Sequence, residues 1–169
     1  MTSPKTVKEV QKLTRRIVAL NRFISKATDK CLPFFETLKQ VFAWIDECEK
    51  AFQELKHYLS NPPLLSPSKE GENLYLYLAV STIAMSASLI QEEGKTQLPV
   101  YYVSQAFQGA EAKYPQIEKI AFTFIVASRK LRPYFQANPI LVLMDQLINK
   151  SMNKPEATGR MVQWVVEFS

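Results

Sequence analysis

The sequence predicts an α+β protein, an N-terminal helical unit followed by a mixed β-sheet with helices in the order β-β-β-α-β-α. Three observations predict it. Apolar residues recur at three- and four-residue steps through the first 60 positions, and a proline- and serine-rich stretch interrupts the chain at 61–72. From Leu74 onward apolar residues alternate with period two.

Residues 5–26 read as an amphipathic helix. Val7, Val10, Leu13, Ile17, Leu20 and Ile24 form one apolar stripe, with Lys5, Lys8, Lys12, Arg15, Arg16 and Arg22 mostly off it. Residues 33–41 form a second short helix, with Pro33 suited to a first turn, where no N–H is needed. A third starts at Asp46 as cap, with Glu49 three residues on to close a capping box. Its inward face is Cys48, Ala51, Phe52, Leu55 and Leu59. The stretch S-N-P-P-L-L-S-P-S-K-E-G-E then reads as linker.

Leu74, Leu76, Leu78 and Val80 share one face of a strand over 74–81, and Met85, Ala87 and Leu89 suit a strand returning over 84–91. Residues 97–103 give a third strand. Pro115 opens a long helix with the stripe Ile117, Ile120, Ala121, Phe124, Ser128 and Leu131, and Pro133 ends it. Residues 140–144 are continuously apolar, as in a strand buried on both faces, here expected beside the first strand and parallel to it. Residues 155–168 make a last helix with Met161, Trp164, Val165 and Phe168 inward. The chain thus divides into a helical arm (1–60), a linker (61–72) and a sheet domain (73–169).

Composition narrows the function classes. At 169 residues the chain has room for one ordinary domain, or one small domain plus an appendage. With 47% hydrophobic and 22% charged residues, its composition is that of a folded rather than a disordered chain. No apolar run reaches the roughly 18–20 residues of a membrane helix. The long uncharged stretch Leu74–Gln91 is broken by Tyr75, Tyr77, Ser81, Thr82, Ser86 and Ser88. The N-terminus lacks the apolar core of a secretory signal. Cys31 and Cys48 form no C-x-x-C pair and His57 is the single histidine, so zinc is not expected. A reduced compartment, cytoplasmic or nuclear, is. Charge is uneven: residues 5–30 hold eight basic side chains against Glu9 and Asp29, while residues 61–169 hold ten against nine. Nucleic acid is the commonest polyanion such a basic element meets, and a solvated helix face is the competing reading.

Three blocks carry a resemblance. V-K-E-V-Q-K-L-T-R-R-I-V-A-L-N-R-F-I, from Val7, resembles the pattern K-E-[LV]-x-x-[FL]-x-G-x-x-x-x-Y-R-x-F-I. F-A-W-I-D-E-C-E-K-A-F-Q-E-L-K-H-Y-L, from Phe42, resembles F-x-W-x-x-x-C-x-x-A-F-x-x-L-K-x-x-L. V-Y-Y-V-S-Q-A-F-Q-G-A-E-A-K-Y-P, from Val100, resembles P-[IV]-x-Y-x-S-[RK]-x-L-x-x-A-E-x-x-Y. In this order they are similar to the segment of a gypsy-type LTR-retrotransposon Pol polyprotein, plant-type, that joins the reverse-transcriptase thumb to ribonuclease H. The resemblance implies a thumb- or connection-like arm and a ribonuclease H-like domain truncated at its C-terminus. It implies as partners an RNA–DNA hybrid or duplex and the remaining reverse-transcriptase domains, with no membrane.

The departures bear on activity. The family hairpin reads T-D-A-S-x-x-[GA]-x-[GS]-A-x-L-x-Q, and register from S-A-S-L-I-Q (Ser86–Gln91) sets Ala79 at its metal-binding Asp. Against Y-S-x-x-[ED]-K-E-x-L-A, the run Y-P-Q-I-E-K-I-A from Tyr114 sets Glu118 on the non-catalytic acid and Ile120 on the catalytic one. M-D-Q stands for T-D-H, which keeps Asp145, and the fourth acid belongs beyond Ser169. Members of the family that cleave use two Mg²⁺ roughly 4 Å apart, and magnesium requires hard oxygen ligands. Alanine and isoleucine offer none. The expectation is a protein that is not an enzyme, carries no Mg²⁺, and holds nucleic acid weakly and salt-sensitively through Lys5, Lys8, Lys12, Arg15, Arg16 and Arg22. Two alternatives stand beside it: a residual Mg²⁺-dependent ribonuclease using Asp145, Glu118 and acids from beyond Ser169, and an interaction scaffold or relic open reading frame. Glu118 is expected as an exposed first-turn residue, His57 on a helix surface, and Tyr75, Tyr77, Tyr101 and Tyr102 in sheet packing rather than base stacking.

Overall fold

The computed structural model describes residues 2–38 and 42–143. Helix α1 (Val7–Ala19) begins at Thr6, whose side chain accepts the Glu9 N–H. It buries Val10, Leu13, Thr14 and Ile17, and the buried Thr14 hydroxyl donates to the Val10 carbonyl at 3.1 Å. The helix stops well short of residue 26. One 3₁₀ turn (Asn21–Phe23) follows and returns Ile24 to the core, while Val7 and Leu20 are exposed.

Helix α2 (Ala27–Thr37) corrects the expected second helix: it starts six residues earlier and carries Pro33 inside it. Two features set that start. Lys26 takes a left-handed conformation (φ 51°), and the Thr28 N–H is received by the Ser104 hydroxyl of a distant strand. Pro33 costs the helix one hydrogen bond, since it has no N–H to give. Asp46 does not cap α3 (Asp46–Ser60): Ile45 holds that position without a side-chain bond. Glu49 instead accepts the Trp44 indole N–H at 2.7 Å and the Gln53 amide at 2.6 Å. Cys48, Phe52 and Leu55 face inward as expected, and Leu59 does not. Trp44 stacks on Phe34 and meets Phe52 edge-on, so these rings close the core of the helical unit.

The sheet comprises β1 (Leu74–Val80), β2 (Ala84–Glu93), β3 (Thr96–Ala106) and β4 (Ile140–Leu143), in the order β3-β2-β1-β4. β1 runs antiparallel to β2, with Leu76 opposite Leu89, and parallel to β4, with Leu74 beside Ile140. The mixed α+β architecture is therefore as the sequence predicts. Helix α4 (Gln116–Lys130) packs Phe124 and Ala127 onto Leu74, Leu76, Ala87 and Leu89, and Leu131 joins them. α4 ends just ahead of Pro133, as expected, since proline cannot continue the helix. The helix closes at Leu131, and Pro133 opens the short helix α5 (Arg132–Ala137), where its fixed φ suits a first turn. β4 also departs from expectation: it borders the described sheet, and Leu141 and Leu143 are exposed.

The proline-rich segment is fastened to the sheet domain. Ser66 N–H donates to the Pro99 carbonyl at 2.8 Å, and the Asn138 amide donates to the carbonyls of Lys69 and Glu72. The helical unit meets the sheet at the end of β3, where the Asn21 amide donates to the Ser104 carbonyl at 2.8 Å. Nearby, the Ser81 hydroxyl donates to Asp29 at 3.2 Å. Among the described residues no helix is long and apolar enough to cross a membrane. Asp145 and the helix expected at 155–168 lie outside the described residues.

Candidate nucleic-acid interface and metal-ligand positions

All six basic residues singled out from the sequence are exposed. In a helix of 3.6 residues per turn, Lys8, Lys12, Arg15 and Arg16 share one face, and Val10, Leu13 and Ile17 lie on the opposite one. From Lys8 to Arg16 this ridge runs about 12 Å, at 1.5 Å per residue. The single acid of α1, Glu9, does not neutralise it from a paired position on the same stripe: its carboxylate receives the Lys5 backbone N–H at 2.6 Å. Like charges four residues apart, Lys8 with Lys12 and Lys12 with Arg16, destabilise a helix by about 0.2–0.5 kcal/mol per pair. Helix stability therefore does not account for the ridge. Arg22 stands apart from it, with its guanidinium 4.9 Å from the Phe23 ring and 5.1 Å from the Tyr101 ring.

Ala79 and Ile120, the positions that the motif register sets against the family's ligands, lie in β1 and α4. Ala79 pairs with Ser86 across β1 and β2 and is exposed. Ile120 is buried on α4. Neither side chain carries an oxygen, so neither position fits Mg²⁺. Glu118 contradicts the expected exposed residue: it lies in the first turn of α4, only 2% exposed, and is engaged rather than free. The sequence alone did not indicate Lys119, which is 8% exposed. Its ammonium donates to the Thr82 carbonyl at 2.9 Å and sits 4.9 Å from the Phe107 ring. A lysine inside an apolar helix stripe is the signal that was available, because such a stem can be buried while its head reaches a carbonyl.

A depression of about 330 Å³ opens here, lined by Val80, Ser81, Thr82, Tyr114, Gln116 and Lys119. Lys119 is the charged group among these, and a fixed cation repels a divalent metal. Among the described residues no three His, Cys, Asp or Glu side chains cluster as a metal site. His57 is exposed on α3. The four tyrosines are half-buried in the sheet: Tyr77 accepts the Gln97 amide at 2.8 Å and Tyr101 meets Tyr134 edge-on. Burial pushes the Tyr102 phenol up, and it pushes the Cys31 thiol up to about 12. Burial lowers the Lys30 ammonium, which lies 3.8 Å from the Tyr58 ring.

Comparison with known proteins fits this arrangement. Residues 44–142 match the family model described as an RNase H-like domain found in reverse transcriptase. The chain is 33% identical over 137 residues to the retrovirus-related Pol polyprotein from transposon 412 of Drosophila melanogaster, covering 78% of this chain and 11% of that protein. It is 25% identical over 169 residues to the transposon Tf2-3 polyprotein of Schizosaccharomyces pombe, covering 95% and 13%. The chain thus spans little more than a tenth of these curated relatives. Among solved structures, foamy viral protease-reverse transcriptase in complex with dsDNA superposes with a TM-score of 0.74 at 20% identity, over 99% of this chain and 37% of that one. The same protein in complex with an RNA/DNA hybrid gives 0.74 at 20% identity, over 99% and 24%. These likenesses establish the fold. With the family model matched over more than half its length, the chain belongs to the RNase H-like domains of reverse transcriptase.

Proposed function

We propose that this chain is a non-catalytic connection module of a gypsy-type Pol polyprotein, which holds template and primer and tethers the polymerase to later domains. The observation that carries the reading is the cationic ridge of α1, set opposite a buried face that anchors the helix. Phosphates would offset the mutual repulsion of its four charges, and such contacts position a duplex without reading its sequence. The foamy viral relatives of the same fold are held in complexes with dsDNA and with RNA/DNA hybrid, which supports a nucleic-acid role for the fold. The binding is weak and salt-sensitive, because it rests on counterion release.

Loss of the chemistry follows from Ala79 and Ile120. A carboxylate cluster offsets the cost of stripping water from Mg²⁺, and two apolar side chains cannot. The two buried free thiols, Cys31 and Cys48, suit a reducing cytoplasmic or nuclear setting. The gypsy-type, plant assignment rests on the motif blocks. A polymerase Y-x-D-D motif upstream in the genome and an intact ribonuclease H downstream would support it.

The direct test is incubation of the chain with an end-labelled RNA–DNA hybrid and Mg²⁺. The RNA is expected to stay intact, and cleavage by the unmodified chain overturns the reading. Ala79→Asp with Ile120→Glu should create Mn²⁺ binding, detectable by proton relaxation, that the unmodified chain lacks.

A further inference from the structure

We infer that Phe23 is a stacking platform for an unpaired nucleobase at the end of the α1 ridge, so that the module grips a duplex beside a single-stranded end. The inference rests on the nucleic-acid reading above and names the form of nucleic acid that the site prefers.

The turn that carries Phe23 is held from several sides. Its N–H donates to the Leu20 carbonyl at 2.9 Å, and its carbonyl accepts the Tyr58 hydroxyl at 3.2 Å. Asn21, two residues before, is tied to the Ser104 carbonyl at 2.8 Å. Ile24, the next residue, is fully buried. The backbone therefore packs well, yet Phe23 as a residue is left 37% exposed, close behind the exposed Val18 and Leu20. An apolar residue on so well-fixed a turn is not exposed through local disorder.

Arg22 adds direction. Its planar guanidinium lies against both the Phe23 and Tyr101 rings, 4.9 and 5.1 Å from their centroids, which restricts its orientation before any ligand arrives. Tyr101 is in turn braced by Tyr134. The ring, the oriented cation and the exposed Leu20 all follow the last cation of the ridge, Arg16, within seven residues.

Charge complementarity selects the occupant. Arg22 lies on this apolar patch, and Arg16 and Arg15 precede Phe23 in the chain by seven and eight residues, so the partner that suits both carries negative charge and a flat apolar surface together. A nucleotide strand supplies both. Base pairs inside a duplex present only their edges, whereas an unpaired base in an overhang can turn a free π-face to the ring, as stacking requires.

The test uses the full chain, a blunt RNA–DNA hybrid, and the same hybrid with a short single-stranded overhang, each titrated by fluorescence anisotropy at low salt. Phe23→Ala should weaken binding to the overhang substrate roughly tenfold, within the range known for base–aromatic stacking. It should leave blunt-end binding nearly unchanged, and Phe23→Trp should retain the preference. A 2-aminopurine in the overhang should be quenched by the unmodified chain and not by Phe23→Ala. Replacing Lys12, Arg15 and Arg16 together with alanine should weaken both substrates alike. Equal binding of blunt and overhang substrates by the unmodified chain overturns the stacking inference while the ridge reading stands. So does an equal loss on both substrates in Phe23→Ala, or no loss on either, the latter being the result if the patch serves a protein partner. If the unmodified chain binds neither substrate, both readings fail.

Discussion

The Thr28 backbone N–H donates to the Ser104 hydroxyl at 3.0 Å, so a sheet residue 76 positions away caps the start of α2. Ser104 is itself 2% exposed, and the Thr28 N–H is one that helix geometry leaves without an internal partner. Ser104→Ala removes this cap and spares the carbonyl that receives Asn21. It should destabilise the chain by about 1 kcal/mol in urea unfolding. An unchanged midpoint would contradict the role given to this contact.

That contact also explains what the sequence could not show. The β1–β2 hairpin was legible because Leu74, Leu76 and Leu78 alternate against Met85, Ala87 and Leu89, a local pattern with one solution. The start of α2 was not, because Lys26 adopts a positive φ and Ser104 supplies the cap from another element. Pro33 then misled, since a proline tolerated mid-helix looks in sequence like one opening it. The ridge of α1 was readable from spacing alone. Glu118 and Lys119 were not, because their burial depends on what α4 packs against rather than on their own polarity.

Trp44 and Glu49 should report acid sensitivity of the helical unit. The Trp44 indole N–H, and after it the Gln53 amide, hold the Glu49 carboxyl below its usual range. A carboxylate with a depressed folded pKa stabilises the fold above its unfolded pKa, about 4.3, and loses that contribution as pH falls through the folded value. In a Trp164→Phe background, Trp44 emission should therefore shift below about pH 4.3. Glu49→Gln should remove the titration, and its persistence in that variant would refute the assignment.

Asn138 should govern how tightly the 61–72 segment is held. Its buried amide joins the carbonyls of Lys69 and Glu72. Asn138→Ala leaves those acceptors unmet, at a cost of about 1–3 kcal/mol. Limited proteolysis should then cut within 61–72 markedly faster than in the unmodified chain. Equal rates would show that the two bonds do not restrain the segment.

The thiols should be inert in the folded state. Cys31 is 2% exposed and its thiol is pushed up to about 12 by burial, and Cys48 is fully buried beside the Thr37 hydroxyl at 3.0 Å. Because a thiolate is the reactive form, alkylation at pH 8 should proceed only through opening of the fold and accelerate with mild urea. For Cys31, whose folded pKa lies above the unfolded value, stability should fall as pH rises beyond about 8.5. Rapid labelling of either cysteine in native buffer would contradict the core placement.

The central claim, that the ridge of α1 holds nucleic acid by its phosphates, is tested most directly by the salt dependence of binding to an RNA–DNA hybrid. Three or four engaged phosphates predict a slope of log affinity against log salt of roughly −3 to −4. Replacing Lys12, Arg15 and Arg16 with alanine should flatten that slope and lower affinity alike for unrelated sequences. A slope near zero, or one that the triple replacement leaves unchanged, would contradict the account.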